Sequence, residues 1–315
     1  AIPYITSYYK KYWGFCLSKI EKKKIIKKYK NNDIFKIKIN SSFKKKGKLS
    51  WGELTLKGKS KEEILISTYI CHPSMANNEL SGPIVSMSLI DYFKRKKLNK
   101  TIKFIFIPET IGSIIYINKN FKNLKKNLIG GYNLSCIGDN RGHSCMFSKY
   151  GNSLSDKALK QAYKDLGIKY KVYSFLKRGS DERQYNSPGI DLKMSSIFRS
   201  KYGEYPEYHT SKDNFNLVTL KGISGGFEVA KRAIEILQSY KIPKTRFLCE
   251  PFMTKKNLYP ALSNNKITYK TKKFMDFIQY SDGTNSLEDI SKYIKLSEAK
   301  TLNIYNFLKS KKLLN

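Results

Sequence analysis

The chain has 315 residues, of which 40% are hydrophobic and 13% aromatic, and its formal net charge is +35. This length allows one substantial core plus a small additional unit, and the composition is that of a globular protein. The sequence contains no apolar run of about 18 residues, so we predict no membrane span. It begins with Ala1 and shows no signal peptide, and we interpret this start as a truncated or processed end.

The pattern of apolar residues predicts strands and helices in alternation. Residues 18–30 predict a surface helix, and alternating apolar and polar residues predict exposed strands at 33–42 and 52–60, within a small β-rich insertion at 33–60. Nearly continuous apolar runs predict buried strands at 62–70 and 101–109. Further strands are predicted at 128–140, 171–175 and 192–198, and further helices at 80–93, after Gly112, at 153–167 and at 220–240. This order predicts an α/β sheet flanked by helices.

A domain boundary is predicted near 241–268, where three prolines interrupt any regular period. Three short helices follow it, and the second opens with the capping-box pattern Ser286-x-x-Asp289. We interpret them as a helix-turn-helix or winged-helix-like unit. Such units often mediate contacts with a protein partner; DNA binding is the alternative, but the third helix carries few residues that read bases. The predicted domains are 1–32 with 61–245, the insertion at 33–60, and 246–315 as linker plus winged-helix-like domain.

The charge and the cysteines bear on partners and location. A charge of +35 is typical of proteins that bind nucleic acid or anionic membranes, but the lysines are dispersed among Ile, Asn and Tyr, as a codon bias would produce. The five cysteines form no C-x-x-C pair, which excludes a zinc ribbon and argues against a disulfide framework. We therefore predict a cytoplasmic protein and keep nucleic-acid binding only as a third hypothesis.

Polar loops that follow the predicted strands contain the residues that could carry chemistry. The loops at the carboxyl ends of strands converge in an open α/β sheet, and here they contribute His72, Asn78, Glu109, Asp139, Asp181 and His209. Two imidazoles with a carboxylate form a ligand set that zinc favours. For each histidine taken alone, the alternative to a metal ligand is a hydrogen-bonded loop residue.

Glu109 directly follows an apolar strand, so burial would raise its pKa, as a general base for a metal-bound water requires. The alternative is a carboxylate that interacts with a helix dipole. Asp139 is either a metal ligand or an Asx-turn residue. Asp181 and Arg183 either position a substrate or form a salt-bridged turn. No nucleotide-binding glycine motif and no nucleophile elbow is found.

Several ordered motifs resemble those of one family. They are TSYYKKYWGFC (6–16), CHPSMANNELSGP (71–83), PETIGS (108–113), CIGDNRG (136–142), RGSDERQYNSPGIDL (178–192), YGEYPEYHTSKDN (202–214), Cys249-Glu250-Pro251 and Leu258-Tyr259-Pro260. The chain resembles the zinc-dependent aminopeptidase fold of the leucyl aminopeptidase and glutaminyl cyclase type. It is most similar to a bacterial aminopeptidase-like branch that ends in a winged helix and is often encoded among polysaccharide-biosynthesis genes. The resemblance implies a zinc-exopeptidase-like mixed central sheet.

The resemblance also implies roles for particular residues. His72 corresponds to the first metal histidine, His209 to the last, and Glu109 to the catalytic base. The chain departs from the active peptidases at three ligand positions. Asn78 stands where they have a metal-bridging aspartate, Thr110 where they have a glutamate, and Ser135 where they have a third acidic ligand. Because neutral side chains bind zinc weakly, we do not expect a two-metal centre.

The leading hypothesis is a zinc-dependent, aminopeptidase-like hydrolase of amide bonds that acts on a small peptide-like or aminoacyl-sugar substrate. One zinc ion would be held by His72, His209 and Asp139, with Asp181 as the other carboxylate considered. Glu109 would act as the base. Asn78, Asp181 and Arg183 would bind the substrate. The rival hypothesis is a catalytically inactive binding or scaffold protein that retains the fold.

Overall fold

The computed structural model describes residues 1–4, 13–42, 44, 46–259 and 269–315. Residues 6–12 of the first motif, and Pro260 of the last, lie outside this part of the chain. Two compact units are formed, Ala1–Ile234 and Glu235–Asn315, and the division falls inside the long helix that precedes the predicted boundary at 245–246. None of the helices in the described part is long and apolar enough to cross a membrane.

The first unit is built on a seven-stranded mixed sheet with the order β1-β3-β2-β4-β7-β5-β6. The strands are β1 Gly52–Leu56, β2 Glu63–Tyr69, β3 Thr101–Ile107, β4 Leu128–Leu134, β5 Ser144–Met146, β6 Lys171–Tyr173 and β7 Met194–Phe198. The four central strands β3, β2, β4 and β7 run parallel, whereas β1 pairs with β3 and β5 with β7 in antiparallel fashion. The predicted fold class, with a mixed sheet flanked by helices, is confirmed.

Helices cover both faces of this sheet, which is why all residues of β2 are buried and why its sequence is a nearly continuous apolar run. The α-helices are α1 Lys19–Lys28, α2 Ser81–Phe93, α3 Ile111–Asn127, α4 Leu154–Asp165, α5 Glu182–Tyr185, α6 Leu220–Ser239, α7 Tyr269–Gln279, α8 Leu287–Tyr293 and α9 Glu298–Ser310. Helices α2 and α4 contact the sheet on one face. On the other face, Tyr116 of α3 and Tyr185 of α5 pack against Leu65 and Ile105.

The small β-rich insertion predicted at 33–60 is not a separate element in the structure. Residues 33–42, all of which are described, form no strand and are exposed. The second predicted strand becomes β1, whose residues Gly52–Leu56 pair with β3 at the edge of the main sheet. A strand is stable only when its backbone groups find a partner strand, and the alternating pattern at 33–42 carries no information about such a partner.

The second unit has its own apolar core, formed by α7, α8 and α9. Its buried side chains include Phe274, Phe277, Ile278, Ile290 and Leu308. The capping box predicted at the start of α8 is present, because Ser286 Oγ accepts from the Asp289 N–H at 3.2 Å and Asp289 Oδ2 accepts from the Ser286 N–H at 3.0 Å. Antiparallel bridges from Lys244 to Asp282 and from Thr245 to Leu314 complete the unit.

Candidate functional site

His72 follows β2 and lies between two carboxylates. Its Nδ1 is 3.4 Å from Glu79 Oε2, its Nε2 is 3.7 Å from Glu109 Oε2, and its backbone N–H donates to Glu79 Oε2 at 2.7 Å. Burial lowers the pKa of His72, but contacts with Cys71, Glu79 and Glu109 outweigh burial and raise this pKa to about 10. In this arrangement the imidazole is therefore a cation at neutral pH.

His209 lies beside His72, with 5.5 Å between the ring centroids. Its ring stacks on Tyr208 at 3.9 Å and meets Tyr4 edge-on at 5.2 Å. Burial, and then the charge of His72, lower the pKa of His209, so this imidazole is neutral. The buried Nε2 of His209 has no hydrogen-bond partner among the described residues. The structure thus brings the two predicted histidines together and leaves one ring nitrogen of His209 available.

Glu109 stands just beyond the end of β3, where the sequence predicts a carboxylate. Its Oε1 accepts from Ser180 Oγ at 2.5 Å, while Oε2 faces His72. Burial raises the pKa of Glu109 above the usual range for a carboxyl group, although Ser180 and His72 act in the opposite direction. The side chain remains 23% exposed, so this carboxylate can reach a ligand.

A strained turn presents Glu109. Thr110 has φ +63° and ψ −67°, and the Ile111 N–H donates to the Glu109 carbonyl at 2.7 Å, which defines a γ-turn with positive φ. A β-branched residue in this region costs about 1–3 kcal/mol. The Thr110 N–H donates to Asp181 Oδ1 at 2.7 Å, and Arg183 Nη2 donates to Thr110 Oγ1 at 2.6 Å. Asp181 and Arg183 therefore hold the turn that carries Glu109.

Asp181 is fully buried, and its two oxygens differ. Oδ1 accepts from the Thr110 N–H and from Ser113 Oγ at 2.9 Å, whereas Oδ2 has no partner in the described chain. Burial, and then the nearby charge of Glu109, raise the pKa of Asp181 to about 7. The adjacent buried Glu182 adds to this repulsion. We call Glu109, Asp181 and Glu182 the acidic cluster.

Buried polar groups also line the sheet next to Glu182. Asn133 of β4 pairs in register with Ser196 of β7, so both side chains lie on one face, and Asn133 Nδ2 approaches Glu182 Oε2 at 3.5 Å. Asn133 Oδ1, Ser135 Oγ and Ser196 Oγ have no hydrogen-bond partner among the residues that the structure describes. Buried polar atoms of this kind normally bind ordered water or a ligand.

Asn78 has a different environment. Its Oδ1 accepts from the Tyr69 hydroxyl at 3.0 Å and from the Cys136 thiol at 3.4 Å, and its Nδ2 lies 3.8 Å from Met75 Sδ. Its backbone N–H donates to Asp213 Oδ2 at 3.0 Å. These contacts argue against the predicted substrate-binding role of Asn78, because its buried amide already bonds to side chains within the protein.

Asp139 is fully buried and accepts four hydrogen bonds. Oδ1 accepts from the Arg141 N–H at 3.0 Å and from Ser200 Oγ at 2.8 Å. Oδ2 accepts from the Ser200 N–H at 2.8 Å and from Asn77 Nδ2 at 3.2 Å. The bond from the residue two positions later forms an Asx-turn, the alternative reading of this residue. The structure does not bring Asp139 into a metal-ligand group with His72 and His209.

Asn77, Asn78, Asp139 and Asp213 form what we call the elbow cluster. Asp213 Oδ1 accepts from the Asn77 N–H at 2.6 Å, and Asp213 Oδ2 also accepts from the Tyr205 hydroxyl at 3.0 Å. Asn77 Oδ1 accepts from the Gly138 and Asp139 N–H groups. Sequence reasoning missed Asn77 and Asp213, which lie 136 residues apart and have no local signal that pairs them.

The donors present do not fit the zinc centres considered from the sequence. Of the three departures from the active peptidases, Asn78 is bonded internally, Thr110 accepts from Arg183, and Ser135 offers a neutral hydroxyl. Both oxygens of Asp139 already accept hydrogen bonds, from Arg141, Ser200 and Asn77. The metal-capable group that the described residues form consists of Cys71, His72 and Glu79, and sequence reasoning assigned no role to Cys71 or Glu79.

Comparison with known sequences places the chain in a family. A family described as a domain of unknown function (DUF4910) matches residues 12–240, and a winged helix-turn-helix family matches residues 241–315. A relative from Clostridium acetobutylicum, provisionally named a polysaccharide biosynthesis protein with an aminopeptidase-like domain, is 35% identical over 300 residues. The match covers 92% of this chain but only 65% of that relative, so the chain spans less than two thirds of its length.

Comparison with solved structures agrees with the sequence comparison. A crystal structure from Clostridium acetobutylicum, provisionally named a peptidase, matches with a TM-score of 0.73 and 32% identity over 100% of this chain and 70% of the other. A zinc aminopeptidase from Bacillus subtilis matches with a TM-score of 0.50 and 20% identity over 58% of this chain and 48% of the other, which shows a shared fold alone. The chain therefore belongs to the DUF4910 family and combines an aminopeptidase-like fold with a C-terminal winged helix-turn-helix domain.

Proposed function

We propose that the aminopeptidase-like unit binds a ligand with a free ammonium group and does not hydrolyse it. The observation that carries this proposal is the contrast in hydrogen bonding between the elbow cluster and the acidic cluster. The elbow cluster offers only internally bonded groups, whereas the acidic cluster keeps buried negative charge and an oxygen of Asp181 without a described partner. We thus favour the binding hypothesis over the zinc-dependent hydrolase that leads from the sequence.

The absence of hydrolysis follows from the donor set. Amide hydrolysis in this fold relies on water that is activated by a metal ion held by charged ligands. Asn78, Thr110 and Ser135 provide neutral groups at three of these positions, and the first two are already hydrogen-bonded. Glu109 retains the raised pKa of a base, but it faces the imidazole of His72 rather than a position surrounded by metal ligands.

The acidic cluster is suited to an ammonium group. Burial, and then the nearby negative charge of Glu109, raise the pKa of Asp181. A ligand cation would relieve the repulsion between these carboxylates, because it would donate an N–H to the partly exposed Glu109 and its charge would stabilise the buried Asp181 carboxylate. In a chain of net charge +35, the acidic cluster is a local concentration of negative charge that attracts cations.

The ligand class that we propose is a small peptide-like molecule or an aminoacyl-sugar precursor. Both carry an α-amino group that is positively charged at neutral pH. The relative from Clostridium acetobutylicum is named for polysaccharide biosynthesis, which supports the sugar-linked form. For the winged helix-turn-helix domain we keep the expectation of a protein partner, because the exposed residues of α9 carry both signs of charge at Glu298, Lys300 and Lys309.

Calorimetric titration with leucine amide and with N-acetyl-leucine amide tests the proposal. We expect binding of the free amine and affinity at least about tenfold lower for the acetylated compound, since a charge-assisted hydrogen bond contributes about 1.5–3 kcal/mol. Glu109→Gln should weaken the amine to a similar degree, while Glu53→Gln, at the exposed edge strand β1, should not. Equal affinity for both compounds would contradict the proposal.

A further inference from the structure

We propose that Cys71, His72 and Glu79 form a binding site for one divalent transition-metal ion, with zinc as the natural occupant. The site lies on the Nδ1 side of the His72 ring, whereas Glu109 faces Nε2. It uses none of Asn78, Asp139 and His209. It also goes beyond the proposed ammonium pocket, because it depends on different donor atoms.

Two of the three separations between donor atoms match those of a tetrahedral zinc site. Cys71 Sγ lies 3.4 Å from His72 Nδ1, Glu79 Oε2 lies 3.4 Å from the same nitrogen, and all three donor atoms lie within 4.8 Å of one another. Zinc bonds of about 2.3 Å to sulfur and about 2.0–2.2 Å to nitrogen and oxygen, at tetrahedral angles, place neighbouring ligand atoms about 3.4–3.6 Å apart. An ion would therefore require little movement of the Cys71–His72 and Glu79–His72 pairs, and it would displace the proton from His72 Nδ1, because a metal binds the deprotonated ring nitrogen.

The fold holds each donor through backbone contacts. Cys71 and His72 lie just beyond the end of β2, separated from it by Ile70. The π-helical turn Ala76–Leu80 brings Glu79 back to this point, where Glu79 Oε2 accepts from the His72 backbone N–H at 2.7 Å. The Glu109 N–H donates to Cys71 Sγ at 3.2 Å, a contact that fixes the position of the sulfur atom. Contacts of this kind orient metal ligands before the ion arrives.

The site opens into a groove that would leave one coordination position free. Cys71, His72 and Glu79 line this groove, which has a volume of about 440 Å³ and includes the apolar side chains of Met75 and Phe215. His72 is buried, whereas Cys71 and Glu79 are partly exposed. Three protein ligands with an open fourth position permit water or a ligand group to bind the ion, and thiolate with imidazole favours zinc over magnesium or calcium.

Titration of the metal-free 315-residue chain with cobalt(II) tests the site without reference to any activity. Cobalt is the probe because coordination by a thiolate produces an intense near-ultraviolet charge-transfer band. We expect this band to saturate at one cobalt ion per chain, and zinc to displace the cobalt. Cys71→Ser should remove the band, while Cys249→Ser, which alters an exposed cysteine of the second unit, should leave it unchanged.

Two further variants keep the test decisive. Glu79→Gln should retain the sulfur band but lower cobalt affinity by at least about tenfold, so it gives an answer even if Cys71→Ser fails to fold. Glu109→Gln should retain the band while it weakens amine binding, which separates this site from the proposed function. No band in the parent chain, or a band that survives Cys71→Ser, would overturn the proposal and leave the three side chains as an imidazolium ion pair.

Discussion

The elbow cluster and the acidic cluster both lie at the carboxyl ends of the parallel strands. Their polar groups nevertheless differ in how completely they are hydrogen-bonded. Every buried side-chain polar atom of Asn77, Asn78, Asp139 and Asp213 has a hydrogen-bond partner. In the acidic cluster, Asp181 keeps an oxygen without a described partner, and Glu109 sits on a strained turn. The difference indicates that the elbow cluster stabilises the fold and that the acidic cluster is arranged for a ligand.

The largest effect is expected from Asp139→Ala. This change removes the buried acceptor of the donors from Ser200, Asn77 and Arg141, so we expect a loss of about 3–5 kcal/mol in the free energy of unfolding, measured by urea denaturation. Asp165→Ala, which removes an exposed ion pair with Arg232, serves as control and should leave the midpoint unchanged. A stable Asp139→Ala variant that binds less zinc would instead favour the ligand role predicted from the sequence.

The next effect concerns the pH dependence of stability at Asp181. Its pKa is about 7 in the folded chain and about 3.9 when unfolded, so the folded state binds more protons between these values. Stability should therefore fall as the pH rises from 4 to 7 and level off above 7. Asp181→Asn should remove this slope. Its free energy of unfolding, relative to that of the parent chain, should therefore be about 1–3 kcal/mol more favourable at pH 8 than at pH 5. An unchanged slope in denaturation curves would show that Asp181 is not the buried acid responsible.

A smaller loss is expected from Asn78→Asp, which places a carboxyl group near Asp213. Burial should raise the pKa of the new carboxyl group, so its cost of about 1–3 kcal/mol is present at high pH and disappears as the pH falls below the unfolded value of about 4. We expect no peptidase activity with added zinc, because Thr110 and Ser135 remain neutral. Zinc-dependent cleavage of leucine p-nitroanilide by this variant would contradict the conclusion that the elbow cluster only stabilises the fold.

The smallest effect is expected from Thr110→Gly. Glycine tolerates the positive φ, but it adds freedom to the unfolded chain, so the two contributions oppose each other and the net change in stability should stay within about 1 kcal/mol. Release of the turn should lower amine affinity a few-fold, since Glu109 is less firmly placed. Thr110→Ser keeps the hydroxyl that accepts from Arg183 and should bind the amine like the parent chain. Tighter amine binding by Thr110→Gly would contradict this role of the turn.

Local patterns predicted the parts of the molecule that depend on local physics. The apolar run of β2, the position of Glu109 after β3 and the capping box of α8 can each be predicted from a few neighbouring residues. The role of Asp139 could not, because its partner Ser200 lies 61 residues away, and an Asx-turn and a metal ligand look alike in sequence. The strained geometry of Thr110 has no sequence signal either, since threonine normally avoids positive φ.

The most direct test of the central claim combines binding with product analysis. The 315-residue chain is incubated with leucylglycine in the presence of excess zinc, bound ligand is measured by calorimetry, and free leucine is measured by chromatography. We predict saturable binding that Glu109→Gln weakens, with no release of leucine above a chain-free control. Release of leucine that requires zinc and is lost in Glu109→Gln would contradict the account, because it would show that the site hydrolyses the ligand it binds.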